Sequence, residues 1–229
     1  MNNHIFISRK LGPNSLFHSL KKKEFSIQDI SLLDISPTPF DDFPDTDWIF
    51  FYSKNGVESF FEQLKDQQKE LIKHKKFAVF GPKTNKQLKT YLGRLADFAG
   101  HGKGEEIVKE YLDTIGENST ILFVQAKHSK KTIQQHLIPE RYEELTVYNN
   151  SKGKIPFLRP AKHNVFTSPL NVKYYFENTS LIPSSLYYAI GESTYNALLE
   201  HVPSDQIICS RNRTEESLYR AVEKEIDRV

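Results

Sequence analysis

Two stretches of this 229-residue chain repeat each other in the same order, and that duplication constrains the fold more than any single motif. Asp47-Trp-Ile-Phe-Phe-Tyr-Ser53-Lys-Asn-Gly-Val57-Glu-Ser-Phe-Phe-Glu62 returns as His163-Asn-Val-Phe-Thr-Ser168-Pro-Leu-Asn-Val172-Lys-Tyr-Tyr-Phe-Glu177, with the Ser-to-Val and Ser-to-Glu spacings kept. Gly81-Pro-Lys-Thr84-Asn-Lys-Gln-Leu88 returns as Gly191-Glu-Ser-Thr194-Tyr-Asn-Ala-Leu198, and the same offset of 110 carries Glu105 and Glu106 onto Glu215 and Glu216. More loosely, residues 4–20 overlay 121–137 at an offset of 117. A repeat this long exceeds a solenoid unit and predicts two similar lobes. Two lobes of one chain usually make a cleft, and clefts bind ligands.

Basic and acidic side chains nearly balance, 31 against 29, so no global field points to nucleic acid or an anionic membrane surface. An anionic ligand must then be held by local groups. The single cysteine, Cys209, excludes an intrachain disulfide framework and fits a reducing compartment. The first residues lack a basic segment followed by an apolar core, and the longest apolar runs have strand length, so the expectation is a soluble cytoplasmic protein.

Short apolar runs rich in β-formers alternate with helical stretches, the pattern of parallel sheets covered on both faces. Ten strands are predicted, five per lobe: 4–8, 25–33, 48–52, 77–80, 96–99, 121–125, 145–148, 164–167, 187–190 and 206–209. Helices are predicted near 13–23, 55–74, 83–91, 104–114, 129–137, 170–177, 192–200 and 214–227. Asp34-Ile-Ser-Pro37-Thr-Pro39 and Asn149-Asn-Ser-Lys-Gly153-Lys-Ile-Pro156 break the alternation in matching places and read as linkers. Each copy is thus a βαβ arm, a linker and a larger module. Whether an arm stays with its own module or is exchanged is left open by these patterns.

The recurrent polar chemistry sits at strand ends. Ser53, Thr84, Ser168 and Thr194 each follow a β-run and open a helix, where a hydroxyl caps orphan backbone N–H groups. Four such ends in symmetric pairs also suit a ligand with several carboxylates or phosphates, because helix N-termini at carboxyl edges of parallel strands attract anions. Arg9, ending the first strand, is a further anion ligand, since a guanidinium holds carboxylates bidentately. Tyr148 ends a strand just before the second linker. His101-Gly-Lys-Gly104 lacks phosphate-loop spacing, no Gly-x-Gly-x-x-Gly follows the first strand, and the histidines with one cysteine imply no zinc site. Lys21-Lys-Lys23 complements a helix end, and Lys127-His-Ser-Lys-Lys131 reads as a solvated face.

Taken together, these residues resemble the uroporphyrinogen-III synthase family over most of the chain. The likeness rests on order and spacing: Phe51-Tyr-Ser53 and Phe166-Thr-Ser168-Pro169 with Val four past the Ser, Gly-x-x-Thr twice, Val147-Tyr148 before the second linker, and Thr214-Glu-Glu-Ser-Leu218 opening the last helix. Departures are Tyr52 for the usual Thr, Ser193 for a second Thr, and Ala126-Lys127 for a frequent Arg-Gly.

The resemblance implies two flavodoxin-like α/β lobes, each a parallel five-stranded sheet flanked by helices, joined by a two-strand connector. It favours exchanged arms, with 1–33 plus 151–229 as a discontinuous lobe and 38–148 as the inserted one. It implies cyclisation of hydroxymethylbilane with D-ring inversion to uroporphyrinogen III and water, without cofactor or metal. Hydroxymethylbilane synthase is the implied transient partner, handing over the tetrapyrrole. Tyr148 becomes the candidate acid, and Arg9, Ser53, Thr84, Ser168 and Thr194 the candidate substrate ligands. The competing reading is a two-lobed, non-catalytic binding protein for a small polyanion, closing about a hinge.

Overall fold

The computed structural model describes residues 3–101 and 104–228, and these form two α/β units. One unit comprises the chain up to Asp34 together with the chain from Ser151 onward; the other comprises Ile35–Asn150. The Gly102-Lys103 part of the loop singled out by its glycines lies outside the described residues.

In the first unit, β1 (His4–Ile7), β2 (Ser26–Asp29), β9 (His163–Phe166), β10 (Leu186–Ala189) and β11 (Ile207–Cys209) form a parallel sheet in the order β11-β10-β9-β1-β2. This is the flavodoxin order, with the first two strands supplied from the far end of the chain. β1 and β9 are buried at every residue, because helices cover both faces. Phe6, Phe166, Tyr175 and Tyr187 fill one face against α5 (Pro169–Phe176) and α6 (Glu192–Leu199). Ile5, Ile7, Val165 and Tyr188 fill the other against α7 (Glu215–Ile226).

In the second unit, β3 (Leu33–Pro37), β4 (Trp48–Phe51), β5 (Lys76–Val79), β6 (Phe98–Ala99), β7 (Ile121–Ala126) and β8 (Tyr142–Lys152) take the order β3-β8-β7-β4-β5-β6. Ile49, Phe51, Leu122 and Val124 face α1 (Lys54–Phe61) and α3 (Pro82–Leu92). Trp48, Phe50, Ile121 and Phe123 face α4 (Gly104–Ile115).

Four expectations need correcting. There are eleven strands among the described residues rather than ten, and the second sheet has six. The extra one is β3: the presumed linkers are strands, for β8 continues to Lys152 and Leu33–Pro37 lies beside it. Thr38 N–H donates to Val147 O at 2.8 Å and Gly153 N–H to Leu32 O at 2.9 Å, an antiparallel ladder that offsets the poor β-propensity of Asn, Ser and Gly. Pro37 ends an edge strand, where its missing N–H costs little.

The single helix expected over 55–74 is two, α1 and α2 (Asp66–Leu71), because Lys65 is extended and its N–H is taken by the Gln68 side chain. The stretch 13–23 is a 3-10 helix, Leu16–Lys23, closed by Glu24 at φ 62°. The stretch 129–137 is a loop with a 3-10 turn at Gln134–His136. Lys131 has φ 51°, and the Ile133 N–H donates to the Tyr52 hydroxyl at 3.0 Å instead of to a helical carbonyl.

Candidate functional site

At the end of β4 the chain turns into α1 through Ser53, whose extended backbone lets its hydroxyl oxygen accept the Gly56 N–H at 3.1 Å. The same oxygen lies 2.7 Å from the phenolic oxygen of Tyr148. Tyr148 reaches it by an irregularity in β8. Val124 pairs with Leu145 and Gln125 with Thr146, but Ala126 pairs with Tyr148, leaving Val147 as one extra residue. A β-bulge of this kind re-aims the side chains beyond it. The insertion puts Tyr148 on the face of Leu145 and Val124, toward α1, where it is 5% exposed. The Lys127 N–H donates to Tyr148 O at 3.0 Å and holds the strand end in place. Burial pushes the Tyr148 phenol above its ordinary pKa, while hydrogen bonds from Ser53 and Asn150 pull it back in part.

Ser168 in the first unit occupies the equivalent turn between β9 and α5, but with different company. Its oxygen accepts the Asn171 N–H at 3.3 Å and the Asn171 Nδ2 at 2.9 Å. Asn171 Oδ1 in turn accepts the Leu32 N–H at 2.9 Å. Asn171 stands where the other copy has Gly56, and its side-chain amide contacts the Ser168 oxygen as the Tyr148 phenol contacts Ser53 in the other copy. The repeated motif displayed the Asn171/Gly56 difference without revealing its meaning.

Thr84 and Thr194 are not helix caps. Each is buried in the first turn of its helix, α3 or α6, behind a glycine that occupies the cap position. Gly81 has φ 151°, a conformation that L side chains rarely adopt. Gly191 is extended, and a Cβ there would meet Arg213 Cγ at 3.1 Å, so the Arg213 stem lies across the start of α6. Sequence reading passed over Arg213.

Arg9 forms an ion pair with Glu215, which also accepts the Ser15 hydroxyl. Partial burial lowers the Arg9 pKa, but the guanidinium stays charged, and its charge is already answered within the unit. Next to it, Ser8 is fully buried and its oxygen accepts the Thr167 N–H at 2.9 Å. In the second unit the corresponding edge holds Gln125, whose Oε1 accepts Gln134 Nε2 at 2.9 Å, and Gln134 Oε1 accepts the Tyr52 hydroxyl.

The structure therefore brings Ser53 and Tyr148 into contact in one unit, with Thr84 on the helix packed beside α1. In the other unit Ser168 and Thr194 lie on the neighbouring helices α5 and α6, and Arg9 is tied to Glu215. All stand at carboxyl ends of parallel strands, the end where open α/β sheets bind ligands. Among the described residues no three His, Cys, Asp or Glu side chains come together as a metal site.

The sequence profile described as Uroporphyrinogen-III synthase HemD matches residues 15–220. The chain belongs to the uroporphyrinogen-III synthase family. A curated protein of Methanocaldococcus jannaschii, named "Putative uroporphyrinogen-III synthase", is 30% identical over 164 residues, which cover 65% of this chain and 67% of that protein. The crystal structure of uroporphyrinogen-III synthetase from Helicobacter pylori 26695 shares the fold, with TM-score 0.73 and 19% identity over 98% of this chain and all of that one. A mutant uroporphyrinogen III synthase from the extremely thermophilic bacterium Thermus thermophilus does so with TM-score 0.66 and 15% identity over 99% of both chains. Membership in the uroporphyrinogen-III synthase family makes this chain an enzyme, a cyclising lyase of porphyrin and haem synthesis, in place of the binding-protein alternative. Among the described residues no helix is long and apolar enough to cross a membrane.

Proposed function

We propose that this uroporphyrinogen-III synthase uses Tyr148 as the acid that starts its reaction, and that the contact between Tyr148 and Ser53 carries the assignment. The substrate hydroxymethyl C–O bond breaks as the phenol gives its proton to the departing oxygen, which leaves as water. The azafulvenium so formed is attacked by the substituted carbon of ring D, and the resulting spirocycle reopens and closes as the inverted isomer. The proton lost from carbon at closure restores the phenol, so the net change is loss of water with no electron transfer.

Ser53 accepts the Gly56 N–H, so its own proton is free to be donated to the Tyr148 oxygen. That arrangement leaves the phenolic proton for the substrate and stabilises the phenolate after transfer. The rest of the task is positioning, since the flexible chain must be folded before plain head-to-tail closure wins. We assign carboxylate contacts to the hydroxyls of Thr84, Ser168 and Thr194 and, at Ser53, whose own proton goes to Tyr148, to the backbone N–H groups of the helix start. Arg9 is a weaker ligand because Glu215 competes for it. A transient handover from hydroxymethylbilane synthase would spare an unstable substrate, and the lone cysteine fits the reducing cytoplasm.

The deciding assay adds purified protein to freshly prepared hydroxymethylbilane and separates the oxidised isomers. Type III product is expected. Type I alone, the spontaneous outcome, would overturn the enzymatic reading.

A further inference from the structure

Opposite the edge that carries Ser168 and Thr194, the first unit holds a cavity of about 430 Å³ lined by His4, Ser26, Phe157, Arg159, Lys162 and Ser185 among others. His4 opens β1, Ser26 opens β2, Lys162 directly precedes β9, and Ser185 directly precedes β10. Because these strands are parallel, the cavity lies at their amino-terminal ends. It is thus distinct from the carboxyl-end groups already described. Its volume falls in the range of small-molecule pockets.

Three features of its lining go together. First, His4 is 3% exposed, its Nδ1 lies 2.7 Å from Ser26 Oγ, and its Nε2 is buried with no hydrogen-bond partner. Such an orphaned group is costly in a folded protein unless something meets it. When the Ser26 hydroxyl donates to Nδ1 rather than to Asn3 O, which lies 3.3 Å from it, the proton sits on Nε2, which then donates to an anionic oxygen. Second, Arg159 and Lys162 form no ion pair among the described residues. Third, Phe157 is 79% exposed, an unusual position for a phenylalanine and one that offers a flat face.

The walls are built rather than loose. The Gln28 side chain clamps the 157–159 segment onto β2, donating from Nε2 to Phe157 O at 2.9 Å and accepting the Arg159 N–H on Oε1 at 3.1 Å. On the other side Ala161 O accepts both the Ser185 hydroxyl at 2.7 Å and Asn164 Nδ2 at 3.0 Å, and the Lys162 N–H donates to His4 O at 3.1 Å. Ordering cost is therefore met within the free protein, which favours binding.

We propose that this cavity is a second binding site, for a planar aromatic anion. The ring stacks on Phe157 and beside the Arg159 guanidinium, and the acid group is held between Arg159, Lys162 and the His4 imidazole. Because the site is built wholly from residues of the first unit, while Tyr148 belongs to the second, it is independent of whether Tyr148 is the catalytic acid.

The test titrates the full chain with 8-anilinonaphthalene-1-sulfonate and follows its fluorescence. Saturable binding to a single site is expected. Arg159→Gln, Lys162→Gln and Phe157→Ser, all at exposed or half-exposed positions, should each weaken it about tenfold with the unfolding transition kept. Tyr148→Phe, Ser168→Ala and Thr194→Ala should bind the probe as the parent does. Non-saturating binding, or affinity unchanged in the three cavity variants, overturns the proposal. A loss seen with Tyr148→Phe or the Ser168 and Thr194 variants instead would place the probe elsewhere and overturn it equally.

Discussion

The hydroxyl of Ser53 and the phenol of Tyr148, 95 positions apart in the chain, meet at 2.7 Å at the carboxyl edge of one sheet. Ser53 belongs to a sequence motif present twice, whereas Tyr148 has no counterpart in the other unit, where Asn171 binds the Leu32 amide instead. The duplicated scaffold therefore carries one unduplicated pair.

Tyr148→Phe keeps the buried ring and removes only the hydroxyl. We expect the rate of type III product formation to fall about 10²-fold, the low end for general-acid loss, because the leaving group can depart unaided. Substrate affinity, measured by single-turnover titration, should stay within about twofold. Burial raises the phenol above its ordinary value of about 10, so the parent enzyme should show no loss of this proton up to about pH 9. A mutant as fast as the parent removes Tyr148 from the acid role.

The four hydroxyls should separate into two kinds. Ser53→Ala and Ser168→Ala each delete a helix cap and should cost about 1 kcal/mol of stability in chemical unfolding. Thr84→Ala and Thr194→Ala delete no cap. They should lower kcat/KM about tenfold, which is roughly 1.4 kcal/mol, with a smaller change in Tm. The surface change Lys130→Ala should do neither. Unchanged kcat/KM in both threonine variants would mean those residues only pack.

Tyr52→Phe removes the hydroxyl that accepts the Ile133 N–H and bonds Gln134. Leaving a buried amide unmet costs about 1 to 3 kcal/mol. Hydrogen exchange at the Ile133 amide should accelerate along with the lost stability. Protection equal to the parent's would show that the loop is held by other groups.

Acid should destabilise the first unit through His163. The imidazole is 1% exposed, its Nδ1 lies 2.8 Å from the Tyr188 hydroxyl, and burial lowers its pKa to about 4. A depressed histidine means that the unfolded chain binds the extra proton. The stabilisation is thus complete above about pH 6.5 and fades as pH falls toward 4, by at most about 3 kcal/mol. In unfolding curves taken across this window, His163→Phe should be less stable at pH 7 yet flatter with acid. An equally steep acid limb would assign the effect to other groups, such as His4, whose pKa burial also lowers.

Much of the sheet framework was legible because double-sided burial writes itself as unbroken apolar runs. Trp48-Ile-Phe-Phe51, Ile121-Leu-Phe-Val124 and Leu186-Tyr-Tyr-Ala189 are such runs, and all are strands. The Asn149–Lys152 end of β8 was not legible, since its residues favour turns and only backbone pairing with β3 makes it a strand. Thr84 and Thr194 were misplaced as caps because Gly81 and Gly191, which leave no side-chain signature, hold that position. Ser53 announced itself as a cap, and Tyr148 as a strand end, but no local pattern joined them. Arg213 is exposed and surrounded by polar residues, so nothing distinguished it from other surface charge.

A β-strand keeps a binary count, flipping its side chains with every residue, and the register slip at Gln125/Ala126 resets that count just ahead of Tyr148. Whether the phenol reaches Ser53 is thus a matter of parity, decided by whether an odd or even number of residues separates it from Leu145. Exchanging Tyr148 tests its chemistry, but drawing Val147 into regular pairing with Ala126 would leave every functional group in the chain and turn the decisive one to the wrong side.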